Sequence, residues 1–599
     1  MHFLVYWGLL NRFCTMANDA LQLKKNPTEY DVVIVGSGAG GGMAGYVLAK
    51  AGVKVLMLEA GPFFDPAKDS HQLKMPWESP RRGAGTVRPF GDFDAAYGGW
   101  KIEGEPYTQK GGSQFEWFRA RMLGGRTNHW GRISLRFGPD DFKPQRKDGV
   151  SADWPVTYDE IKPYYDKIDL LLGIYGTVEN LENNPDGLFM PAPKPRLNEL
   201  FIKKAGDSIG VKVIPGRGSV LTREIAGNTD RNACFYCGQC GRSCKIYGDF
   251  SSSSCLVIPA LKTGHLEVIS NAMVREVLVD SEGRATGVSY VNKNDLQEYQ
   301  VRGKTVILAA GACESARLLL NSKSKQFPGG LANGSGLVGK YLHDSTGSSA
   351  GGFLPQLSDR KRYNEDGVGS VHIYAPWVKD NAKLDFPRGY HIEFGGGMHM
   401  PGAGYGGYVP QVNGLVPGRD GKKRDAGGYG LDLKDDYRRW YGATVGMAGR
   451  GVALARETNY CEIDPNMVDK YGIPVLRFQY TWGQEEILQA KHQQETFAEL
   501  LHAMGAITLY SSEGNKENNY GLENPGVIIH EVGTARMGDD PKRSVLNKWC
   551  QAHECENLFV VDGAPFVQQG DKNPTWTILA MSMRTAEYIL QQKQKLNIS

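Results

Sequence analysis

Gly36, Gly38 and Gly41 stand in the sequence GSGAGG, a G-x-G-x-x-G spacing that directly follows the apolar run Tyr30–Val35. Glycines so spaced allow a tight turn and a close backbone approach to a pyrophosphate, which the N-terminus of a following helix then faces. Glu59 closes the next apolar run, Val53–Leu58, at the distance where a carboxylate can accept hydrogen bonds from an adenosine ribose. The chemistry implied is dinucleotide binding, and FAD and NAD suit these residues equally. A second group is Cys234, Cys237, Cys240 and Cys244, four of the ten cysteines, spaced C-x2-C-x2-C-x3-C. That is the bacterial ferredoxin spacing, whose thiolates wrap one iron–sulfur cluster, [3Fe-4S] or [4Fe-4S]. Lys245 occupies the place where proline normally follows, and no second run exists to supply an exchanged ligand. Zinc, disulfides and unliganded thiols are the alternatives; zinc ligands more often come as two separated pairs, and two bridges in so short a loop are strained.

These groups need elements to hold them. Tyr30–Val35 is β-branched without helical period, the pattern of a buried parallel strand, and a helix over about 42–51 followed by a strand over Val53–Leu58 completes a βαβ unit. Residues 61–150, rich in glycine and aromatic side chains, read as extended loops over a cofactor. Apolar positions at helical spacing predict a helix over Tyr158–Gly173, and alternation over 268–310 predicts strands ending in the buried run Thr305–Ala310. The glycine-rich stretch 345–450 gives weak signals and is assigned to a substrate lobe.

At 599 residues the chain exceeds one hydrophobic core, so two to four lobes are expected. A net charge of +3 with no acidic or basic block argues against nucleic acid as a partner. No apolar run is long enough to span a membrane. Phe3–Leu10 is apolar but lacks a preceding basic residue and a cleavage site, so it is not read as a signal peptide. The expectation is a cytoplasmic protein, with periplasmic location by co-export on a partner as the alternative.

Further segments separate FAD from NAD. They are Arg121–Trp130 (RMLGGRTNHW), Asn271–Val274 (NAMV), Val306–Leu319 (VILAAGACESARLL) and Gly336–Asp344 (GLVGKYLHD). At the C-terminal end come His530 in HEVGTARMG, Asp562 and Gly563 in FVVDG, and Asn573 in NPTWTILAM. In this order and spacing the chain resembles the glucose-methanol-choline (GMC) oxidoreductase family along nearly its whole length. The resemblance implies FAD, held by Gly36, Gly38, Gly41 and Glu59, by Arg121, Gly124, Gly125, Asn128 and His129 of a flavin-covering loop, and by Val274, Ala310, Gly311, Asp562, Gly563, Pro574 and Thr575. It also implies that His530 removes a hydroxyl proton while hydride leaves the adjacent carbon for the flavin, with Asn573 holding the same oxygen. The loop around His129 resembles one in pyranose oxidase where the histidine is bonded covalently to the flavin; similar loops in related dehydrogenases hold FAD without that bond. The cysteine run resembles an insertion in membrane-linked sugar dehydrogenases that carries a [3Fe-4S] centre. The remaining cysteines, Cys14, Cys255, Cys313, Cys461, Cys550 and Cys555, read as ordinary thiols, with Cys550 and Cys555 able to pair if the protein is exported.

The expected fold is α/β, α+β overall: a Rossmann-like FAD-binding domain with a second, sheet-based substrate-binding domain. The FAD-binding domain is assembled from 28–150, 257–344 and 516–599. Residues 151–230 form an insertion that starts the substrate lobe, 231–256 form the cysteine loop, and 345–515 form the substrate-binding domain. The expected activity is a FAD-dependent sugar or glycoside dehydrogenase acting on a pyranose ring hydroxyl, C3 by resemblance to glucoside 3-dehydrogenases. Electrons would pass through an iron–sulfur cluster to a companion subunit or a cytochrome c. The alternatives are a pyranose-oxidase-like enzyme using oxygen and a non-catalytic flavoprotein with a structural metal loop. Tyr97, Trp100 and Trp440 could stack on a sugar but are equally compatible with core positions.

Overall fold

The computed structural model describes residues 29–74, 78, 97–361, 367–369, 371–376, 384–398 and 430–599. The apolar segment Phe3–Leu10, Cys14 and part of the stretch assigned to the substrate lobe lie outside them. In chain order the main strands are β1 (Glu29–Val35), β2 (Val55–Leu58), β3 (Leu266–Ile269), β4 (Ala272–Val279), β5 (Ala285–Asn292) and β6 (Glu298–Leu308). They continue with β7 (Ser349–Phe353), β8 (Ile373–Ala375), β9 (Tyr390–Gly396), β10 (Thr444–Val452), β11 (Tyr460–Val468), β12 (Pro474–Gln479), β13 (Ile507–Tyr510) and β14 (Leu558–Val560). The helices used below are α1 (Ala39–Lys50), α2 (Tyr158–Leu172), α3 (Leu197–Ile209), α4 (Ala312–Asn321), α5 (Gln484–Ala503) and α6 (Thr575–Gln591).

The first sheet has the order β4-β5-β6-β1-β2-β3, with β14 pairing the C-terminal half of β6. Strands β14, β6, β1, β2 and β3 run parallel, while β4, β5 and the start of β6 form an antiparallel meander. Helices cover the parallel strands, so β1 is buried after its first residue, which is why it reads as an unbroken apolar run. The carboxyl ends of β1, β2, β6 and β14 lie together, and each is followed by a predicted site residue: Gly36, Glu59, Gly311 and Asp562. Ligands of open parallel sheets bind at such strand ends.

Helix α1 starts three residues before the expected 42–51. Its first turn is AGGG, a poor helix former by propensity, and packing overrides propensity there. A Cβ on Gly40 would meet the Val561 carbonyl at 2.1 Å and one on Gly42 the Ser252 hydroxyl at 1.9 Å. Helix α2 matches its expected span and is capped by Thr157 and Glu160 in a reciprocal box.

The second sheet has the order β13-β7-β10-β9-β8, extended by a two-residue strand at Ile214–Pro215. One face packs its alternate residues, Tyr390, Ile392 and Phe394 of β9 with Val445 and Met447 of β10, against Phe497, Leu500 and Leu501 of α5. By the period of two, His391 and Glu393 of β9 and Arg450 of β10 lie on the opposite face. Residues 460–480 fall within the span expected for the second lobe, yet Cys461, Leu476, Phe478 and Tyr480 join the first core. Among the described residues no helix is long and apolar enough to cross a membrane.

Helix α6 links the two halves of the site. Trp576 is fully buried at its start and donates from Nε1 to Asp169 of α2 at 2.8 Å; Ser582 donates to the Gly40 carbonyl at 2.6 Å. Truncating so large a buried side chain costs about 3–5 kcal/mol. That anchorage fixes Asn573, which stands two residues before the helix.

Candidate active site

A cavity of about 400 Å³ opens at the carboxyl ends of β1, β2, β6 and β14 and continues to His530 and Asn573. Of the residues predicted to hold the cofactor, Gly36, Gly38, Glu59, Arg121, Gly125, His129, Val274, Ala310, Gly311, Asp562, Gly563, Pro574 and Thr575 line it. Gly41, Gly124 and Asn128 stand behind the wall. A Cβ on Gly41 would lie 1.9 Å from the Gly36 carbonyl, so this glycine seats the helix against the turn. The Gly124 N–H donates to Ser37 Oγ at 2.9 Å, and Asn128, fully buried, donates from Nδ2 to the Leu123 carbonyl at 2.7 Å.

The cradle fits a dinucleotide. A Cβ on Gly38 would meet nothing within 4 Å, because the position faces the cavity at the N-terminus of α1. Glu59 is buried, which raises its pKa, and it accepts from Ser37 Oγ at 2.5 Å and from the Gly61 N–H at 2.8 Å. Asp562 is committed to the fold: its carboxylate accepts from the Gly311 N–H at 3.0 Å, from Ser315 Oγ at 2.5 Å and from the Ala564 N–H at 2.8 Å. Arg121 is likewise held, its guanidinium bridging the buried carboxylates of Glu105, at 2.9 Å, and Glu314. His129 is buried on the cavity wall with its ring edge-on to Phe118 at 5.5 Å. Burial and the neighbouring Arg132 and Arg126 pull its pKa down to about 3, so the imidazole is neutral.

His530 is carried by the turn from Gly526. Asp344 clamps that turn, accepting the Gly526 N–H at 2.9 Å and the His530 N–H at 2.8 Å. Ile529, directly before the histidine, has φ of 63°, a left-handed conformation rare for a β-branched residue and costing about 1–3 kcal/mol. His530 Nδ1 stands 3.0 Å from Ser345 Oγ, and Nε2 stands 3.3 Å from Asn573 Nδ2. Since the Asn573 amide donates to Nε2, the proton of the neutral ring belongs on Nδ1 and faces Ser345 Oγ, which also accepts from Gln569 Nε2 at 2.8 Å. The lone pair of Nε2 thereby meets the Asn573 amide, and both residues line the cavity. Burial and then Arg450 pull the pKa of His530 down to about 3, with Glu393 opposing. Asn573 Oδ1 is buried and has no partner among the described residues.

Sequence reasoning missed Ser345, Arg126, Glu531 and Glu393. Arg126 pairs with Glu531 at 2.6 Å on the cavity wall. Glu393 lies behind Asn573, which donates to it from Nδ2 at 3.3 Å. It lies in the strand YHIEF, where a histidine and a glutamate alternate with core residues, a pattern shared by any strand with one solvent face. Tyr97, Trp100 and Trp440 do not line the cavity: Trp100 packs on Phe118, Trp440 on Phe353, and Tyr97 lies half-exposed against Phe64.

The cysteine loop abuts this site without forming a ligand cage. Gly241 lines the cavity, and Ser243 Oγ donates to the Asn128 carbonyl at 2.6 Å, joining the loop to the 121–130 segment. Cys234, Cys237, Cys240 and Cys244 are free thiols, and burial pushes Cys234 up to about 12 and Cys244 up to about 11, so they are protonated. Among the described residues no group of three or more histidine, cysteine or acidic side chains could hold a metal ion. The iron–sulfur expectation therefore finds no support: spacing along the chain brings the thiols to one loop but does not set them around an ion. Cys550 and Cys555 are buried free thiols.

Two family models, both described as GMC oxidoreductase, match residues 31–346 and 455–582. The chain is 28% identical over 567 residues to 2-methyl-1,2-propanediol dehydrogenase of Mycolicibacterium austroafricanum, covering 93% of this chain and 95% of that one. It is 27% identical over 591 residues to the fructose dehydrogenase large subunit of Gluconobacter japonicus, covering 94% and 97%. Among solved structures, formate oxidase of Aspergillus oryzae aligns over 96% of this chain and all of its own with a TM-score of 0.62 at 15% identity.

Proposed function

The chain belongs to the GMC oxidoreductase family, FAD enzymes acting on CH–OH groups of alcohols and sugars, and from that premise we propose a sugar dehydrogenase that oxidises a ring hydroxyl of a pyranose or glycoside to a ketone. The observation that carries it is the His530–Asn573 pair at the end of the dinucleotide cavity, with Nε2 and a buried amide at 3.3 Å from each other. FAD, when bound, supplies the hydride acceptor and hands its electrons to an external acceptor. His530 is neutral at working pH and receives the hydroxyl proton at Nε2. Asn573 positions the substrate oxygen beside that nitrogen. Ile528, Ile529, Trp117 and Phe118 line the wall with apolar surface and keep water from the reacting bond.

Ring C3 is the carbon to test first, on the resemblance to glucoside 3-dehydrogenases. A companion subunit is proposed because one matched relative is by its name a large subunit. The test is turnover of a panel of glycosides, free sugars and diols with an artificial electron acceptor under argon, and with oxygen alone. Ketone formation with the acceptor and slow peroxide formation with oxygen support a sugar dehydrogenase. Fast peroxide formation makes it an oxidase, and oxidation of diols alone removes the sugar.

A further inference from the structure

We propose that Glu393 is a positioning residue of this reaction: its carboxylate fixes the Asn573 amide against His530 and supplies the counter-charge for the proton that His530 takes up. The inference rests on the alcohol-oxidising reading above and adds a residue from the sheet of the second lobe, which no motif of the sequence marks.

Glu393 is buried on the face of the second sheet turned away from the core of that lobe. Its Oε1 accepts from Asn573 Nδ2 at 3.3 Å and lies 3.2 Å from His391 Nε2; its Oε2 lies 3.4 Å from Arg450 Nε. Both N–H groups of the Asn573 amide are thus directed, one at Glu393 and the other at His530 Nε2, 3.3 Å away. Turning the amide over would set its oxygen against the carboxylate, so a single orientation is held. Buried carboxylates bound in this way fix geometry by the cost of leaving a charge or an amide unpaired.

The charge matters as much as the orientation. When the substrate O–H breaks, its proton moves to Nε2 of His530 while the adjacent carbon gives up hydride, and the imidazole becomes a buried cation. The side chains that face it are Arg450 on β10, Glu393 and His391 on β9, and Arg126 from the 125–128 turn. Asp344 and Glu531 adjoin the backbone of the same turn, but Asp344 is occupied by two main-chain N–H groups and Glu531 by Arg126. Of the groups that face the ring, Glu393 is the acid that favours its protonated form. Arg450 and His391 hold its carboxyl down at about 2, so it is ionised wherever the enzyme works.

Anaerobic stopped-flow bleaching of the holoenzyme by its sugar substrate, across pH, tests the proposal with two variants of opposite sign. Glu393→Gln keeps the shape and removes the charge. The rate of bleaching is expected to fall about 10- to 100-fold, with the substrate dissociation constant within about twofold and the acid limb displaced to lower pH. Arg450→Gln removes a cation that faces the ring and leaves Glu393 unopposed, so its acid limb moves to higher pH. Bleaching of Glu393→Gln at the wild-type rate, or acid limbs moving the same way in both variants, overturns the proposal. If Glu393→Gln does not fold, Glu393→Asp keeps the charge but shortens its reach to the Asn573 amide, and bleaching of that variant at the wild-type rate with an unmoved acid limb overturns the proposal. A wild-type holoenzyme that no alcohol or sugar bleaches defeats the functional reading itself, and this inference with it.

Discussion

Replacing Gly38 by alanine separates the cofactor cradle from the fold. Gly38 has φ of −64° and ψ of −162°, extended backbone that alanine adopts, and its Cβ would have open space for 4 Å. In the cofactor-free protein the gain of about 0.4–1 kcal/mol from the reduced freedom of the unfolded chain is set against the preference for glycine over alanine at this helix N-cap, so stability changes by less than about 1 kcal/mol. In the loaded protein the new methyl would stand on the cavity wall at the N-terminus of α1, where the pyrophosphate would be held. Forcing an extra methyl into a filled contact costs about 1–3 kcal/mol, a weakening of FAD binding of about 5- to 150-fold. Gly36→Ala is the control: φ there is 98° and the Cβ would lie 2.4 Å from the Ala309 carbonyl, so strain of about 1–3 kcal/mol and a backbone clash fall on the fold itself. Thermal melting of the flavin-stripped variants and titration with FAD by fluorescence quenching measure the two effects. Wild-type FAD affinity in Gly38→Ala, or a loss of folding like that of Gly36→Ala, refutes the placement of the pyrophosphate.

His530→Ala should keep FAD at wild-type affinity and slow bleaching by substrate about 10²- to 10⁴-fold, read by stopped-flow absorbance. Arg121→Leu leaves Glu105 and Glu314 buried without their shared cation and should cost about 3–5 kcal/mol in denaturant melts. The same pair sets a pH signature. The Arg121 and Arg317 guanidiniums hold Glu314 down at about 2 against an ordinary 4.5, so its stabilisation is complete above about pH 4.5 and is lost as pH falls through 2. Over that window wild-type stability should fall on acidification, and in Arg121→Leu, where Arg317 alone still faces Glu314, that fall should be smaller. Metal analysis of anaerobically purified protein should find no iron in proportion to FAD; stoichiometric iron would contradict the four cysteines of the loop as protonated thiols.

What the sequence shows most clearly is what depends on neighbouring residues. The turn at Gly36–Gly41, the strands β1 and β2 and the acid at Glu59 are legible because a doubly covered parallel strand must be apolar throughout and its phosphate turn must lack side chains. His530 and Asn573 are 43 residues apart, and only their place in a family order marks them; the structure brings them to 3.3 Å. Glu393 was illegible for a different reason. In YHIEF the polar residues of an alternating strand read as the solvent face, and nothing local reveals that this face is closed by the first lobe. The cysteine run marks a loop rather than a cage, because ligand spacing is local while a ligand cage is not; burial, and then Asp249, raise the pKa of Cys240 there.

The proposed activity requires a deprotonating carbinol beside His530 that loses hydride to bound FAD. The most direct measurement is anaerobic flavin bleaching with a glycoside deuterated at the oxidised carbon. Bleaching by the unlabelled sugar, slowed by a primary isotope effect with the labelled one and nearly abolished in His530→Ala, is the predicted result. A flavin that no such donor bleaches, or that bleaches equally fast without the histidine, would contradict it.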